Sequence, residues 1–218
     1  MTAVVLLSGG MDSAVCMGMA SKEHERLVAF SVRYGQRHSA ELDSAATIAR
    51  HYRAEHVVVD LDPRPFAVGS LTTDDAMPHT TYAELEAIDG PSPTYVPFRN
   101  GTLLSLATAL AVTRGASHVY AGMHAEDARG WAYPDCTPEF LGPMAAAVYV
   151  GSYHAVRLVT PLEWMSKTDV LRAGLALDVP FALTLSCYEG RRPACGQCPT
   201  CVERAHAFAE VGLKDEVA

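Results

Sequence analysis

The sequence predicts an α/β protein built on a doubly wound, mainly parallel sheet. Three observations carry this reading. Short apolar runs of strand length alternate with stretches of helical periodicity along the chain. The first run ends in Ser8-Gly9-Gly10, a glycine turn leading into a helix. The loops 8–13, 33–38, 122–136 and 161–167 each follow a strand-like run, so a parallel sheet gathers them on one edge, where such sheets bind ligands.

Ala3–Leu7 is apolar and β-branched and reads as a buried strand, with a helix over 12–22. Leu27–Tyr34 is a second strand, Ser39–Tyr52 a helix with one apolar face, and His56–Leu61 a third strand. Residues 62–98 are rich in proline, threonine and aspartate, with little periodicity. So long a loop in a compact domain is expected to serve the site as a lid or substrate loop, the plainer reading being a surface insertion. Arg99–Arg114 is a helix stopped by Gly115, and His118–Met123 a fourth strand. An irregular stretch, His124–Thr137, precedes a helix over Pro138–Val150 and a strand over Val156–Leu162. Ser166–Leu177 is a helix with Ser166 as N-cap and Asp169 three residues on. Cysteines cluster after Pro180, and a helix from about Val202 to Val211 follows.

The composition excludes several classes. The 218 residues suffice for one sizeable core, and 49% hydrophobic with 19% charged residues is a globular profile. Seventeen basic against 25 acidic residues give a net charge of −8, which disfavours stable nucleic-acid binding without a basic patch. No apolar run is long enough to span a bilayer, so no membrane partner is expected. The opening MTAVVLLSGG lacks the basic start of a signal peptide, which makes the cytoplasm the expected compartment. Six cysteines then read as metal ligands or buried thiols rather than disulfides.

Ser8-Gly9-Gly10-Met11-Asp12-Ser13 has the chemistry of an anion cradle. Glycines let the backbone approach a phosphate, the helix start offers free N–H groups, and the two serines add hydroxyls. It is not a Walker A loop, because GK[ST] is missing. Lys167 opens a helix, where a cation opposes the dipole, and makes sense as a phosphate ligand. Cys187, Cys195, Cys198 and Cys201 form C-x7-C-x2-C-x2-C, which fits a closed tetrahedral, structural zinc site. An iron–sulfur cluster and a redox pair are the competing readings. Cys16 reads as a small buried residue. Cys136 is a lone thiol on the ligand-binding edge with no histidine assignable to it.

The string at 8–13 resembles the SGGxDS signature of the PP-loop ATP pyrophosphatases. Together with RYGQRH (33–38), VPFRN (96–100), YPDCTPEF (133–140), TPLEWMSK (160–167) and SCYEG…CGQCPTC (186–201), it makes nearly the whole chain similar to the 7-cyano-7-deazaguanine synthase (QueC) family. The resemblance implies an adenine nucleotide alpha hydrolase-like, Rossmann-like fold over 1–180 and a small zinc-binding helical segment, 181–218, packed on it. It implies ATP-dependent conversion of 7-carboxy-7-deazaguanine and ammonia to the nitrile, through an adenylated acid and an adenylated amide. ATP, Mg2+ and zinc are the cofactors implied, and the assembly a homodimer.

By the same resemblance, Ser8 to Ser13 and Lys167 hold the phosphates, and Asp12, Lys167 and Arg99 are catalytic. Tyr34, Gln36, Arg37, His38, Arg99, Asn100, Asp127 and Asp135 border the substrate, with loop-bracing hydrogen bonds as the plainer role for the last four. The chain departs from the family pattern at Phe98, where glycine or asparagine is usual, at Thr137, where arginine is usual, and over 125–132. The alternatives are an amidating enzyme that stops at the amide or takes another carboxylate, a tRNA-thiolating relative, and a non-catalytic interaction module with a vestigial loop.

Overall fold

The structure is a computed structural model of the 218-residue chain, and it describes every residue except 37–39, 80, 82, 83, 85, 86, 88, 89 and 218. Five parallel strands form one sheet in the order β3-β2-β1-β4-β5. They are β1 Thr2–Leu6, β2 Arg26–Arg33, β3 Glu55–Asp60, β4 His118–Tyr120 and β5 Arg157–Val159. The helices are α1 Met11–Glu23, α2 Ala40–His51, α3 Arg99–Thr113, the single turn α4 Ala125–Ala128, α5 Pro138–Gly151, α6 Lys167–Ala176 and α7 Pro199–Glu210. The strand order reverses at β1, so the crevice between the ends of β1 and β4 is the expected ligand site.

Both faces of the sheet are covered, which is why its strands are apolar throughout rather than alternating. Ala3, Val5 and Leu7 point to one face and pack with α1, α2, α6 and α7. Val4 points to the other, with Ala107 and Ala111 of α3 and Val148 of α5. Each fully buried branched side chain of this kind contributes about 1.5–3 kcal/mol.

Helix starts follow the local chemistry. Ser166 caps α6, its Oγ accepting from Asp169 N and its own N–H donating to Asp169 Oδ2, both at 3.2 Å. Thr137 caps α5 by accepting from Phe140 N, with Pro138 at the first helical position.

Some boundaries differ from the sequence expectation. β4 stops at Tyr120; one more ladder bond, Ala121 N to Val159 O at 3.0 Å, is made before the chain turns toward α1. Gly122 lies against the backbone of Asp12 there, which leaves little room for a side chain. α7 begins at Pro199, not Val202, because a proline with preset φ fits the first helical position and Cys198 serves as N-cap. The long segment carries a 3-10 turn at Arg64–Phe66. Its end is anchored: Ser92 N donates to Ala132 O at 2.9 Å, and Val96 is buried. Among the described residues, no helix is long and apolar enough to cross a membrane.

Candidate active site

A cavity of about 230 Å3 opens at the carboxyl ends of the strands. Its lining includes Ser8, Asp12, Tyr34, Arg99, His124 and Lys167. The loop at its floor is shaped by Gly9, whose φ of +97° is left-handed and whose Cβ, if present, would lie 2.1 Å from the Glu41 carbonyl oxygen. Glycine is therefore required both by conformation and by the approach of α2. Gly10 is the N-cap of α1, and its N–H donates to Ser8 Oγ at 3.2 Å. Ser13 Oγ donates to Gly10 O at 3.0 Å and lies 3.1 Å from Ser8 Oγ, so the two hydroxyls sit side by side over the start of α1.

Lys167 is buried, although its residue type and helix position suggest a surface. Its Nζ donates to both carboxylate oxygens of Asp12 at 2.8 Å and to His124 Nε2 at 3.1 Å. Burial works against the Asp12 carboxylate, but the Lys167 ammonium prevails and holds Asp12 below its ordinary range. His124 Nε2 also lies 3.3 Å from Asp127 Oδ2, and Glu126 Oε2 accepts from Lys167 N at 3.0 Å. A cation thus waits beside the open N-terminus of α1, a setting for anionic phosphate.

Across the cavity, Arg99 Nη1 donates to Tyr34 Oη at 3.0 Å and Arg99 Nε to Asn100 Oδ1 at 3.2 Å. Burial disfavours the guanidinium, but the Tyr34 hydroxyl, with Cys136 and Asp135 behind it, raises its pKa and keeps it charged. Gln36 closes the turn after β2, accepting from Tyr34 N at 2.8 Å and donating to Val32 O at 3.0 Å. Asp135 does not line the cavity. It is buried and accepts from Asn100 N at 2.8 Å, which caps the start of α3 and braces the site from behind. Asn100 Nδ2 donates to Cys136 Sγ at 3.2 Å; burial, with Asp127 and Asp135 nearby, pushes that thiol well up, so it stays protonated. Arg37 and His38 lie outside the described residues.

The sulfurs of Cys187, Cys195, Cys198 and Cys201 all lie within 4.8 Å of one another. Cys195 Sγ and Cys201 Sγ are 3.9 Å apart, near the roughly 3.8 Å edge of a tetrahedron with 2.3 Å metal–sulfur bonds. The N–H groups of Gln197 and Cys198 point at Cys195 Sγ at 3.5 and 3.4 Å. Hydrogen bonds from Cys198 and Cys201 hold the Cys187 thiol down and push those two up; a bound cation would remove this competition. The donor set fits a metal ion.

The sequence model of the family described as "Queuosine biosynthesis protein QueC" matches residues 2–212. The chain belongs to the QueC family. Among its QueC relatives, the 7-cyano-7-deazaguanine synthase of Thermoplasma acidophilum is 39% identical over 98% of this chain and 90% of that protein. The enzyme of the same name from Xanthomonas campestris pv. campestris is 43% identical over 98% of this chain and 95% of that one. The fold is also similar to that of NMN synthetase from Francisella tularensis, with a TM-score of 0.53 at 17% identity, over 98% of this chain and 77% of that one.

For this QueC chain, the cavity brings Ser8, Gly10, Asp12, Ser13, Lys167, Tyr34, Gln36, Arg99, Asn100 and Asp127 onto one lining; Gly9 and Met11 shape the loop beneath it. His124 and Glu41 also line it, and sequence reasoning missed both. His124 was findable as the residue where the fourth strand run gives way to the loop. Glu41 was not, because an acid in the first turn of a helix reads as an ordinary complement to the dipole. Burial raises Glu41 to about 7, against the pull of Arg99.

Proposed function

We propose that this QueC-family chain converts 7-carboxy-7-deazaguanine and ammonia to 7-cyano-7-deazaguanine, using ATP to adenylate first the acid and then the amide oxygen. The convergence of the Ser8–Ser13 loop, Lys167 and Arg99 on one cavity carries this reading. The loop N–H groups and Lys167 hold the phosphates and neutralise the leaving pyrophosphate, while charged Arg99 takes the substrate carboxylate in a two-pronged pair. Tyr34 keeps Arg99 aimed into the cavity, and Asp127, with Arg37 and His38, borders the base. Mg2+ supplied with ATP would share the phosphate charge, with Asp12 on its side of the site. Each activation converts a poor leaving oxygen into AMP, so the protein's work is positioning and charge stabilisation.

The four cysteines hold zinc in a structural role, tying the C-terminal segment 181–218 to the nucleotide-binding body 1–180. A cluster of thiols kept reduced for metal binding supports a cytoplasmic setting. The resemblance to the family favours a homodimer, which sedimentation velocity would test. Mass spectrometry of protein, ATP, magnesium, ammonium and 7-carboxy-7-deazaguanine tests the chemistry. The nitrile with AMP is expected; amide alone would place the chain on a branch that stops halfway, and untouched ATP would overturn the reading.

A further inference from the structure

The Lys167 ammonium has three N–H bonds and meets three acceptors, Asp12 Oδ1, Asp12 Oδ2 and His124 Nε2. An ammonium cannot accept, so His124 Nε2 receives its proton and the ring carries its own hydrogen on Nδ1. Nδ1 is buried and has no hydrogen-bond partner, and the ring is 3% exposed. The other tautomer would let Nε2 donate to Asp127 Oδ2 at 3.3 Å, but it would set N–H against N–H at the 3.1 Å contact with Lys167. Contact with Lys167 therefore selects the tautomer at the expense of a hydrogen bond to Asp127, while Nδ1 has no partner in either form.

The two acceptors of Lys167 differ in kind. Asp12 is a carboxylate and competes with any phosphate for the ammonium. His124 is a neutral acceptor in this tautomer and leaves the cation's charge available. His124 follows β4 and Lys167 opens the helix after β5, so their contact also ties the ends of two neighbouring strands across the cavity. Around the pair stand Asp12, Glu126, Asp127 and Glu203, all acidic, which offer the ammonium rival partners.

We propose that His124 is a positioning residue for nucleotide binding. Its Nε2 fixes one N–H of Lys167, so that the other two, which face Asp12, are the ones that turn to the phosphate oxygens when ATP binds. This rests on the reading that Lys167 holds the phosphates.

The experiment is AMP release at varied ATP, with the ATP Kd measured by calorimetry and Tm recorded for each variant. His124→Ala is expected to raise KM and Kd for ATP about tenfold, the worth of one hydrogen bond to a charged group, with KM for the carboxylate substrate within about twofold. His124→Gln, whose amide oxygen reaches the place of Nε2, should return to within about threefold of the parent protein. In a Lys167→Met background, His124→Ala should add nothing to the ATP Kd. Unchanged ATP binding in His124→Ala, a Gln variant no better than Ala at equal Tm, or additive losses in the double variant would each overturn the proposal. If Lys167→Met itself binds ATP normally, the phosphate role of Lys167 fails instead, which separates the two readings.

Discussion

The backbone N–H of Leu185 donates to the carbonyl oxygen of Gly9 at 2.9 Å, joining the segment before the first cysteine of the cluster to the glycine loop at the cavity floor. The next residue continues the contact, for Ser186 Oγ accepts from Met11 N at 3.2 Å. The cysteine cluster and the loop at the cavity floor are thus joined by hydrogen bonds. Cys198→Ser removes one ligand of a closed site, and we expect it to release the metal and lower Tm by about 10 °C. Because Leu185 and Ser186 then lose their anchor, ATP affinity should fall with it. Metal content, Tm and ATP Kd measured on one preparation check this; full metal occupancy with an unchanged Tm would contradict it.

Gly9→Ala tests the loop alone. Its Cβ would meet the Glu41 carbonyl at 2.1 Å and the Ala45 nitrogen at 2.9 Å, both backbone atoms, at a φ of +97°. Backbone cannot swing aside as a side chain can, so α2 or the loop must shift. We expect a loss of about 3 kcal/mol and ATP binding too weak to saturate, read by chemical denaturation and calorimetry.

Asp12→Asn keeps the shape of the side chain and removes its charge. Lys167, buried against it, loses its counter-ion, so Tm should fall by several degrees while circular dichroism stays that of the parent. Turnover should drop more than about a hundredfold, because charge placed at the phosphates is worth several kcal/mol. Normal AMP release would remove Asp12 from the machinery.

Much of this site was legible in the sequence because its parts are local. A glycine turn after a strand, a serine cap three residues before an aspartate and cysteines two residues apart all declare themselves within one turn of chain. What depends on distant partners was not legible. By resemblance Asp135 borders the substrate, but in the structure it takes the plainer bracing role, accepting the N–H of Asn100, 35 residues away, and pattern alone does not say which donor a carboxylate meets. His124 carries no motif; its role emerges when α6 places Lys167 beside it. β4 and β5 end sooner than their apolar runs because the chain leaves the sheet to build the cavity, so apolarity there signals packing rather than ladder.

Two histidines give the fold a pH dependence. His24 is buried beside Tyr120, with His118 adding repulsion, and His56 is half-buried against Ser31; burial lowers the pKa of both below 6.5. Below 6.5 the unfolded chain therefore binds more protons than the folded one. The stabilisation from the neutral rings is complete above that value and is lost as the pH falls toward their lower folded pKa values. The two rings pull Tm down between about pH 6.5 and 5, against the opposite pull of Glu41, and we expect a His24→Gln, His56→Gln double variant to lose less stability over that window than the parent protein. Parallel curves for the two proteins would show that these rings do not set the dependence.

The tail is held by a buried ion pair. Arg204 of α7 donates through Nε to Asp215 Oδ2 at 2.6 Å and through Nη2 to Asp215 Oδ1 at 3.0 Å, with side chains 5% and 6% exposed. Its remaining donors reach Thr184 Oγ1 at 2.6 Å and the Phe181 carbonyl at 3.2 Å, so one guanidinium gathers α7, the tail and the segment entering the cysteine site. Asp215→Ala strands a buried cation and should cost about 3–5 kcal/mol, or about 10 °C in Tm for a chain of this size. Removing both charges, as Arg204→Met with Asp215→Leu, avoids the stranded cation, and we expect it to be milder than the single variant. Thermal denaturation of the two decides the matter: a single variant no worse than the double would mean that Arg204, without Asp215, is not left as a stranded buried cation.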